Sequence, residues 1–171
     1  MKLKWKNVGD QIIIKKWSFN DKKIVKNFKD HIGKSVPLYN EGHDIICSLS
    51  KKILSNNSVV TDLGCSLGNL ISKINKCNIK KNIKFIGVDN AENIIKKAKK
   101  IHSTKNFYFY CYDIINFNIP KSTLIISYYT LQFLPKDQRV KMLKNIYKNL
   151  KKNGTFIFFE KTSNKKKNLN K

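Results

Sequence analysis

Hydrophobic and polar residues follow two different rhythms along the chain. Before about residue 56, apolar residues recur every three or four positions, which is the spacing of one face of an amphipathic helix. Two helices are predicted in this part, the first from Asn20 or Asp21 to about His31 and the second from about Tyr39 to Leu54. The second helix is expected to bury one apolar stripe, formed by Ile45, Ile46, Leu49 and Ile53.

From about residue 57 onward, short apolar runs alternate with amphipathic stretches. The runs predict five strands, at 58–62, 83–89, 107–112, 123–128 and 155–159. Helices are predicted between them, at 68–75, 92–101 and 136–150. The last helix is expected to bury Val140, Leu143, Ile146, Tyr147 and Leu150. Alternating strands and helices predict an α/β fold class, with a Rossmann-like, mostly parallel twisted sheet and helices on both faces.

The pattern divides the chain into three segments of a single domain. Residues 1–56 form an N-terminal helical segment that is expected to cover a ligand site, and 57–161 form the sheet core. Residues 162–171 are a polar, lysine-rich tail. A length of 171 residues with 41% hydrophobic side chains is enough for one domain with its own core.

Composition narrows the class of protein further. No apolar run approaches the roughly 20 residues that span a bilayer, and the first ten residues lack the features of a signal peptide. The four cysteines show no CxxC spacing, so we predict neither a metal site nor a disulfide framework. A reduced, cytoplasmic protein is the interpretation that this cysteine usage favours.

The net charge of +24 raises the question of a nucleic-acid partner. Nearly all the cations are lysines, and Arg139 is the single arginine. Base readout prefers the bidentate fork of arginine. Lysine, asparagine and isoleucine have A/T-rich codons, so we favour a nucleotide-biased genome as the cause. Direct nucleic-acid binding stays as the less favoured alternative.

The segment Asp62-Leu63-Gly64-Cys65-Ser66-Leu67-Gly68 carries the main chemical signal. It follows a predicted strand and opens a helix, as a nucleotide-binding turn does. Gly64 permits a tight turn and Gly68 permits close packing of the helix on the strand. Asp62 would repel a pyrophosphate, but it suits a ligand with a positive amino group. The methionine end of S-adenosyl-L-methionine (SAM) is such a ligand, so SAM is favoured over NAD as the cofactor.

Two more acids follow the next two strands. Asp89 ends the second strand, about 20 residues beyond the glycine turn, where it could accept hydrogen bonds from both ribose hydroxyls. Asp113 follows the third strand and is suitably placed for an adenine amino group. The carboxyl ends of parallel strands meet at one edge of a sheet, so three acids in register predict a ligand crevice there.

Several other residues are ambiguous from sequence alone. Tyr39 follows a proline connector and either closes over the ligand or packs in the core. Tyr128 follows the fourth strand and lines a substrate pocket or stacks with core aromatics. His31, His43 and His102 share no ligand spacing, and each is expected to be a surface or cap residue.

Specific segments of the chain resemble the carboxy-S-adenosyl-L-methionine synthase family, a relative of the class I SAM-dependent methyltransferases. The resemblance spans about Trp17 to Lys161. The segments that carry it are Trp17-Ser18-Phe19, Ser35-Val36-Pro37-Leu38-Tyr39, Asp62 through Gly68, Val88-Asp89-Asn90, Thr130-Leu131-Gln132-Phe133-Leu134, Ile146-Tyr147 running on to Gly154, and Glu160-Lys161.

The resemblance implies a reaction and a binding site. Members of the family convert prephenate and SAM to phenylpyruvate and carboxy-SAM, which a separate enzyme uses to modify wobble uridine in tRNA. The resemblance also implies a homodimer. The residues that it implies for the cofactor are Tyr39, Gly64, Cys65, Ser66, Asp89, Asn90, Asp113 and Ile114.

The chain departs from the family pattern in two ways. Tyr128 stands where the family has an asparagine in its ligand pocket. The family also continues for about another third of its length, with an arginine that reaches the carboxylate of carboxy-SAM from the partner subunit. The chain stops after the fifth strand, and we therefore expect that strand to be a sheet edge. Two alternatives stay open: an ordinary SAM-dependent methyltransferase, and a non-catalytic remnant or RNA-binding module.

Overall fold

The computed structural model describes residues 38–161, which contain an alternating series of strands and helices. The predicted helix before residue 32 and the Trp17 segment lie outside the described residues. The helices are α1 (Tyr39–Ile53), α2 (Asn69–Cys77), α3 (Glu92–Ile101) and α4 (Lys136–Asn149), with a short 3-10 helix at Leu131–Phe133. The strands are β1 (Ser58–Leu63), β2 (Ile83–Asp89), β3 (Phe107–Cys111), β4 (Ser122–Tyr128) and β5 (Leu150–Phe159).

The five strands form one parallel sheet in the order β3-β2-β1-β4-β5. The predicted α/β fold class is therefore confirmed. In the register, Asp62 of β1 pairs with Gly87 of β2 and Ile126 of β4. Because all the strands run in the same direction, the loops after β1, β2 and β4 meet at the carboxyl edge of the sheet.

Side chains alternate between the two sides of the sheet and form two cores. On the first side, Val60, Phe85 and Leu124 pack with α1, α2 and α3. On the second side, Leu63 and Ile125 pack with α4 and with the segment that joins β3 to β4. Helices therefore cover both sides, as predicted. No helix within 38–161 has the length and hydrophobicity needed to cross a membrane.

The buried face of α1 differs from the predicted stripe. Ile45 and Leu49 are 53% and 43% exposed, so that part of the prediction is wrong. The helix instead buries Gly42, His43, Ile46, Cys47 and Ser50. Polar residues can occupy this face because they find partners: the hydroxyl of Ser50 donates to the carbonyl of Cys47 at 2.7 Å and accepts from the amide of Asn78 at 3.0 Å.

The predicted buried face of α4 is confirmed for Ile146 and wrong for Val140, Leu143 and Tyr147. Val140, Leu143 and Tyr147 are exposed, whereas Met142 and Ile146 are buried against the sheet. The three exposed residues do form an apolar stripe at helical spacing. The stripe faces away from the sheet because Met142 and Ile146 occupy the second core.

Strand β5 begins earlier than predicted and lies at an edge of the sheet. It runs from Leu150 and includes Asn153-Gly154, a residue pair that commonly forms turns. Asn153 has a φ of 61°, and the pairing with β4 shifts register near Ser122. The turn-forming residues thus produce an irregularity at the start of the strand. Among the strands of residues 38–161, β5 is last in the order and pairs with β4 alone, so the prediction that it is an edge strand is confirmed for this part of the chain.

Candidate functional site

A small cavity lies at the carboxyl edge of the sheet, between the turn after β1, the start of α1 and the end of β4. Six residues predicted for the ligand site line it, namely Tyr39, Asp62, Gly64, Cys65, Ser66 and Tyr128. His43, Leu67, Asn69 and Leu70 complete the lining. The sheet topology therefore brings together residues that are up to 89 positions apart in the sequence.

The turn after β1 has the backbone geometry that its glycine predicted. Gly64 has a φ of 80°, and its amide donates to the carbonyl of Val88 at 2.8 Å, which ties the turn to β2. A Cβ at this position would collide with the side chain of Thr130, in the segment after β4. Gly64 thus allows the turn and the segment after β4 to approach closely. Ser66 also has a positive φ, of 49°.

Asp62 is a buried carboxylate at the wall of the cavity. Its side chain is 2% exposed, and Oδ1 has no hydrogen-bond partner among the described residues. Burial, together with the negative charge of Asp89, raises its pKa from 3.8 to about 7. A buried anion without a partner is costly, and a bound cation at this point would relieve that cost.

Asp89 connects the ends of β1 and β2. Its Oδ2 accepts from the amide of Ser66 and its Oδ1 accepts from the amide of Ala91, both at 3.0 Å. Burial raises the pKa of Asp89, whereas these backbone hydrogen bonds lower it. Each carboxylate oxygen has a further lone pair, so the group can still accept from a ligand. Its expected contact with ribose stays a prediction.

Tyr39, His43 and Tyr128 form an aromatic wall on one side of the cavity. Their ring centroids lie 4.6 to 5.2 Å apart. The hydroxyl of Tyr128 donates to the carbonyl of Tyr39 at 2.7 Å. A Cβ at Gly42 would collide with that hydroxyl, so the glycine makes room for the bulky phenol. Tyr128 is therefore held in place as part of the wall, and its hydroxyl is already engaged.

The expectation that His43 is a surface or cap residue is wrong. His43 is 5% exposed and lines the cavity. One signal in the sequence was available: His43 lies four residues after Tyr39, so both belong to the same face of the helix. His102 does cap α3, and it hydrogen-bonds to the carbonyl of Leu67 at 3.0 Å.

Four predicted ligand residues do not line the cavity: Asp89, which ends β2, and Asn90, Asp113 and Ile114, which lie in the loops after β2 and β3. Asn90 is exposed. Asp113 is exposed, and its Oδ1 accepts from the amide of Ile115 at 3.0 Å. The side chain of Ile114 is buried in the second core, so it cannot itself contact a ligand. A role for Ile114 would be limited to its backbone.

The comparisons with known proteins agree with one another on the family. Residues 54–170 match a family model described as a methyltransferase domain. A carboxy-S-adenosyl-L-methionine synthase of Staphylococcus epidermidis is 33% identical over 147 residues, covering 86% of this chain and 64% of that protein. The synthase of Nautilia profundicola is 34% identical over 168 residues, covering 96% of this chain and 70% of that protein. The chain thus spans about two thirds of the length of these relatives.

A solved structure supports the fold. The solved structure comes from Methanococcus maripaludis and is described as a SAM-dependent methyltransferase by assignment only. It superposes on this chain with a TM-score of 0.67 at 19% identity, and the match covers 87% of this chain and 68% of that one. At this identity the likeness concerns the fold alone. The family model and the curated relatives go further, because they match most of the chain. The chain belongs to the methyltransferase domain family and, within it, to the carboxy-S-adenosyl-L-methionine synthase family.

Proposed function

We propose that the chain binds SAM at the carboxyl edge of its sheet and acts as a carboxy-SAM synthase with prephenate as its substrate. The observation that carries the proposal is Asp62, a buried carboxylate at the wall of a cavity, whose Oδ1 has no hydrogen-bond partner within 38–161. It lies in the segment Asp62 to Gly68, which is one of the segments that resemble the family. The names of the curated relatives agree with this activity.

The donors and acceptors at this edge fit the parts of SAM. Asp62 would pair with the ammonium of the methionine end, and Asp89 would accept from the ribose hydroxyls. Asp113, with the backbone of Ile114, would meet the adenine. The turn that would contact the ligand consists of Gly64, Cys65 and Ser66, which line the cavity.

Tyr39 and Tyr128 would shape the substrate side of the site. When bound, SAM would supply a methyl carbon whose C–H bonds the neighbouring sulfonium makes acidic. In the overall conversion, one of these C–H bonds is exchanged for a bond to the carboxyl carbon that prephenate loses, and water is released. Tyr128 places an aromatic surface on the cavity wall, and its hydroxyl is bonded to Tyr39. No nucleophile from the protein is required for the overall conversion.

The setting of the reaction is also part of the proposal. We place the protein in the cytoplasm, which agrees with the four cysteines being free thiols in the described residues. Family resemblance supports a homodimer. The product would supply a separate enzyme that modifies wobble uridine in tRNA.

The experiment is to incubate the purified protein with SAM and prephenate and to analyse the products by mass spectrometry. Carboxy-SAM and phenylpyruvate should appear together. Asp89→Ala should abolish both products, because it removes the ribose acceptor. Asp137→Ala, in the first turn of α4, is the matched control and should leave the rate unchanged. A protein that binds SAM but gives neither product would contradict the synthase assignment.

An ordinary SAM-dependent methyltransferase is the second candidate. The observation that favours it is Tyr128, at the position where the family has an asparagine. The two candidates separate in the same assay, because a methyltransferase would convert SAM to S-adenosylhomocysteine in the presence of its acceptor and would give no carboxy-SAM. An RNA-binding module would bind RNA equally well with and without Asp89→Ala.

A further inference from the structure

Three buried polar atoms without hydrogen-bond partners belong to residues that line the same cavity. They are Nε2 of His43, Oδ1 of Asp62 and Oγ of Ser66. Within 38–161, only one other buried side-chain atom lacks a partner, Oγ of Ser127, which is not part of this lining. Buried polar atoms are nearly always hydrogen-bonded. Their concentration at one cavity therefore points to a missing partner there.

The size of the cavity limits what that partner can be. Its volume is about 20 Å³, which holds a group about the size of one water molecule. An alkylammonium group is of that size and has three N–H donors. Three unpartnered atoms that can accept hydrogen bonds match those three donors in number.

No lysine among residues 38–161 lines the cavity. Lys73 is close enough to affect the titration of His43, but its ammonium lies 2.6 Å from Asp44 in an ion pair, and its side chain is 37% exposed. A ligand that carries an ammonium group would supply the donor that these residues lack.

His43 is in the right state to accept a hydrogen bond. Burial, together with the positive charge of Lys73, lowers its pKa from 6.5 to about 4, and the negative charge of Asp44 opposes the change. The ring is consequently neutral at pH 7 and has one nitrogen with a free lone pair. The rings of Tyr39 and Tyr128 pack against it, which fixes its position.

We infer that His43 is a ligand-binding residue, and that its Nε2 joins Oδ1 of Asp62 and Oγ of Ser66 to hold the ammonium of the ligand's amino-acid end. The inference rests on the proposed SAM site and adds a residue that the family resemblance did not assign. Asp62 neutralises the positive charge, while His43 and Ser66 accept the other two hydrogen bonds. The arrangement requires the tautomer of His43 with its proton on Nδ1.

The test compares two thioether ligands that differ only in the amino group. S-adenosylhomocysteine carries the ammonium, and its desamino analogue, 4-(5′-adenosylthio)butanoate, lacks it. His43→Leu should weaken binding of S-adenosylhomocysteine by about tenfold or more in calorimetric titration, and it should leave binding of the desamino analogue within about twofold. Ile45→Ala, on the exposed face of the same helix, is the matched control and should change neither.

A second variant and a direct measurement address folding. His43→Gln keeps an acceptor oxygen and should recover part of the affinity lost in His43→Leu. In the wild-type protein, the ¹⁵N chemical shifts of His43 should show an unprotonated Nε2 when S-adenosylhomocysteine is bound. A proton on Nε2 in that complex would overturn the inference, whether or not the leucine variant folds.

The outcomes separate this inference from the proposed function. If the wild-type protein binds neither thioether, the proposed SAM site itself fails. If it binds S-adenosylhomocysteine, and His43→Leu weakens both thioethers equally, His43 supports the fold and does not contact the ammonium. Loss confined to the ligand with the amino group supports the inference.

Discussion

At Asp62, the requirements of folding and of ligand binding oppose each other more clearly than at any other residue of the site. Its pKa is raised from 3.8 to about 7 by burial and by Asp89, so the folded state binds a proton more tightly than the unfolded state. The contribution of Asp62 to stability is therefore most favourable below pH 3.8 and is lost as the pH rises through about 7. At neutral pH, the ionised form costs free energy of folding.

Asp62→Asn should consequently stabilise the free protein while it weakens SAM binding. We expect the free energy of unfolding to increase by about 2 kcal/mol at pH 8. The difference from the wild type should shrink toward zero as the pH falls to about 4. Urea unfolding at several pH values measures it. A variant that is less stable than the wild type at pH 8 would contradict the account of Asp62 as an unpaired buried charge.

Gly42 and Tyr128 form a small-to-large pair that can be tested by a double-mutant cycle. A Cβ at Gly42 would collide with the hydroxyl of Tyr128, so Gly42→Ala should destabilise the protein by about 1–3 kcal/mol. In a Tyr128→Phe background the same change should cost less, because the colliding atom is gone and alanine favours the helix. Equal costs in both backgrounds would show that the two residues do not compete for space.

At the scale of elements, Glu160 joins the end of β5 to the 3-10 helix after β4. Its two carboxylate oxygens accept from the amides of Leu131 at 2.8 Å and Gln132 at 3.0 Å. Glu160→Ala should cost about 2 kcal/mol of stability and speed hydrogen exchange at those two amides. Glu41→Ala, an exposed residue on α1, is the control. Unchanged exchange at Leu131 and Gln132 would show that the contact does not hold the helix.

The elements also show how far sequence reasoning reaches. The strands and the glycine turn were predictable because their signals are local: apolar runs for β1 to β4, and glycine at a φ of 80°. The buried faces of α1 and α4 could not be predicted, because they depend on partners that are distant in the sequence. Ser50 is buried because Asn78 donates to it, and the two are 28 residues apart. The burial of His43 likewise depends on Tyr128.

At the scale of the whole molecule, the second side of the sheet has an exposed apolar region beside its β5 edge. Phe158 is 56% exposed, and its ring stacks on that of Phe156, which packs against the second core. The exposed stripe of α4 belongs to the helix that covers the same side. Edge strands with apolar side chains favour association between chains.

Phe158→Lys should therefore reduce self-association of the purified chain. Light scattering coupled to size-exclusion chromatography should show a lower average mass for the variant at equal concentration. Ile79→Lys is the control, because Ile79 is 80% exposed in the loop before β2 and belongs to neither the stripe nor the edge. An equal effect of the two substitutions would indicate a general consequence of added charge.

The central claim is that the carboxyl edge of the sheet is a SAM site, and calorimetric titration of SAM into the purified chain tests it most directly. The account predicts one site per chain, lost in Asp89→Ala and retained in Asp137→Ala. A folded wild-type protein that shows no binding, or Asp89→Ala protein that binds SAM as tightly as the wild type, would contradict it.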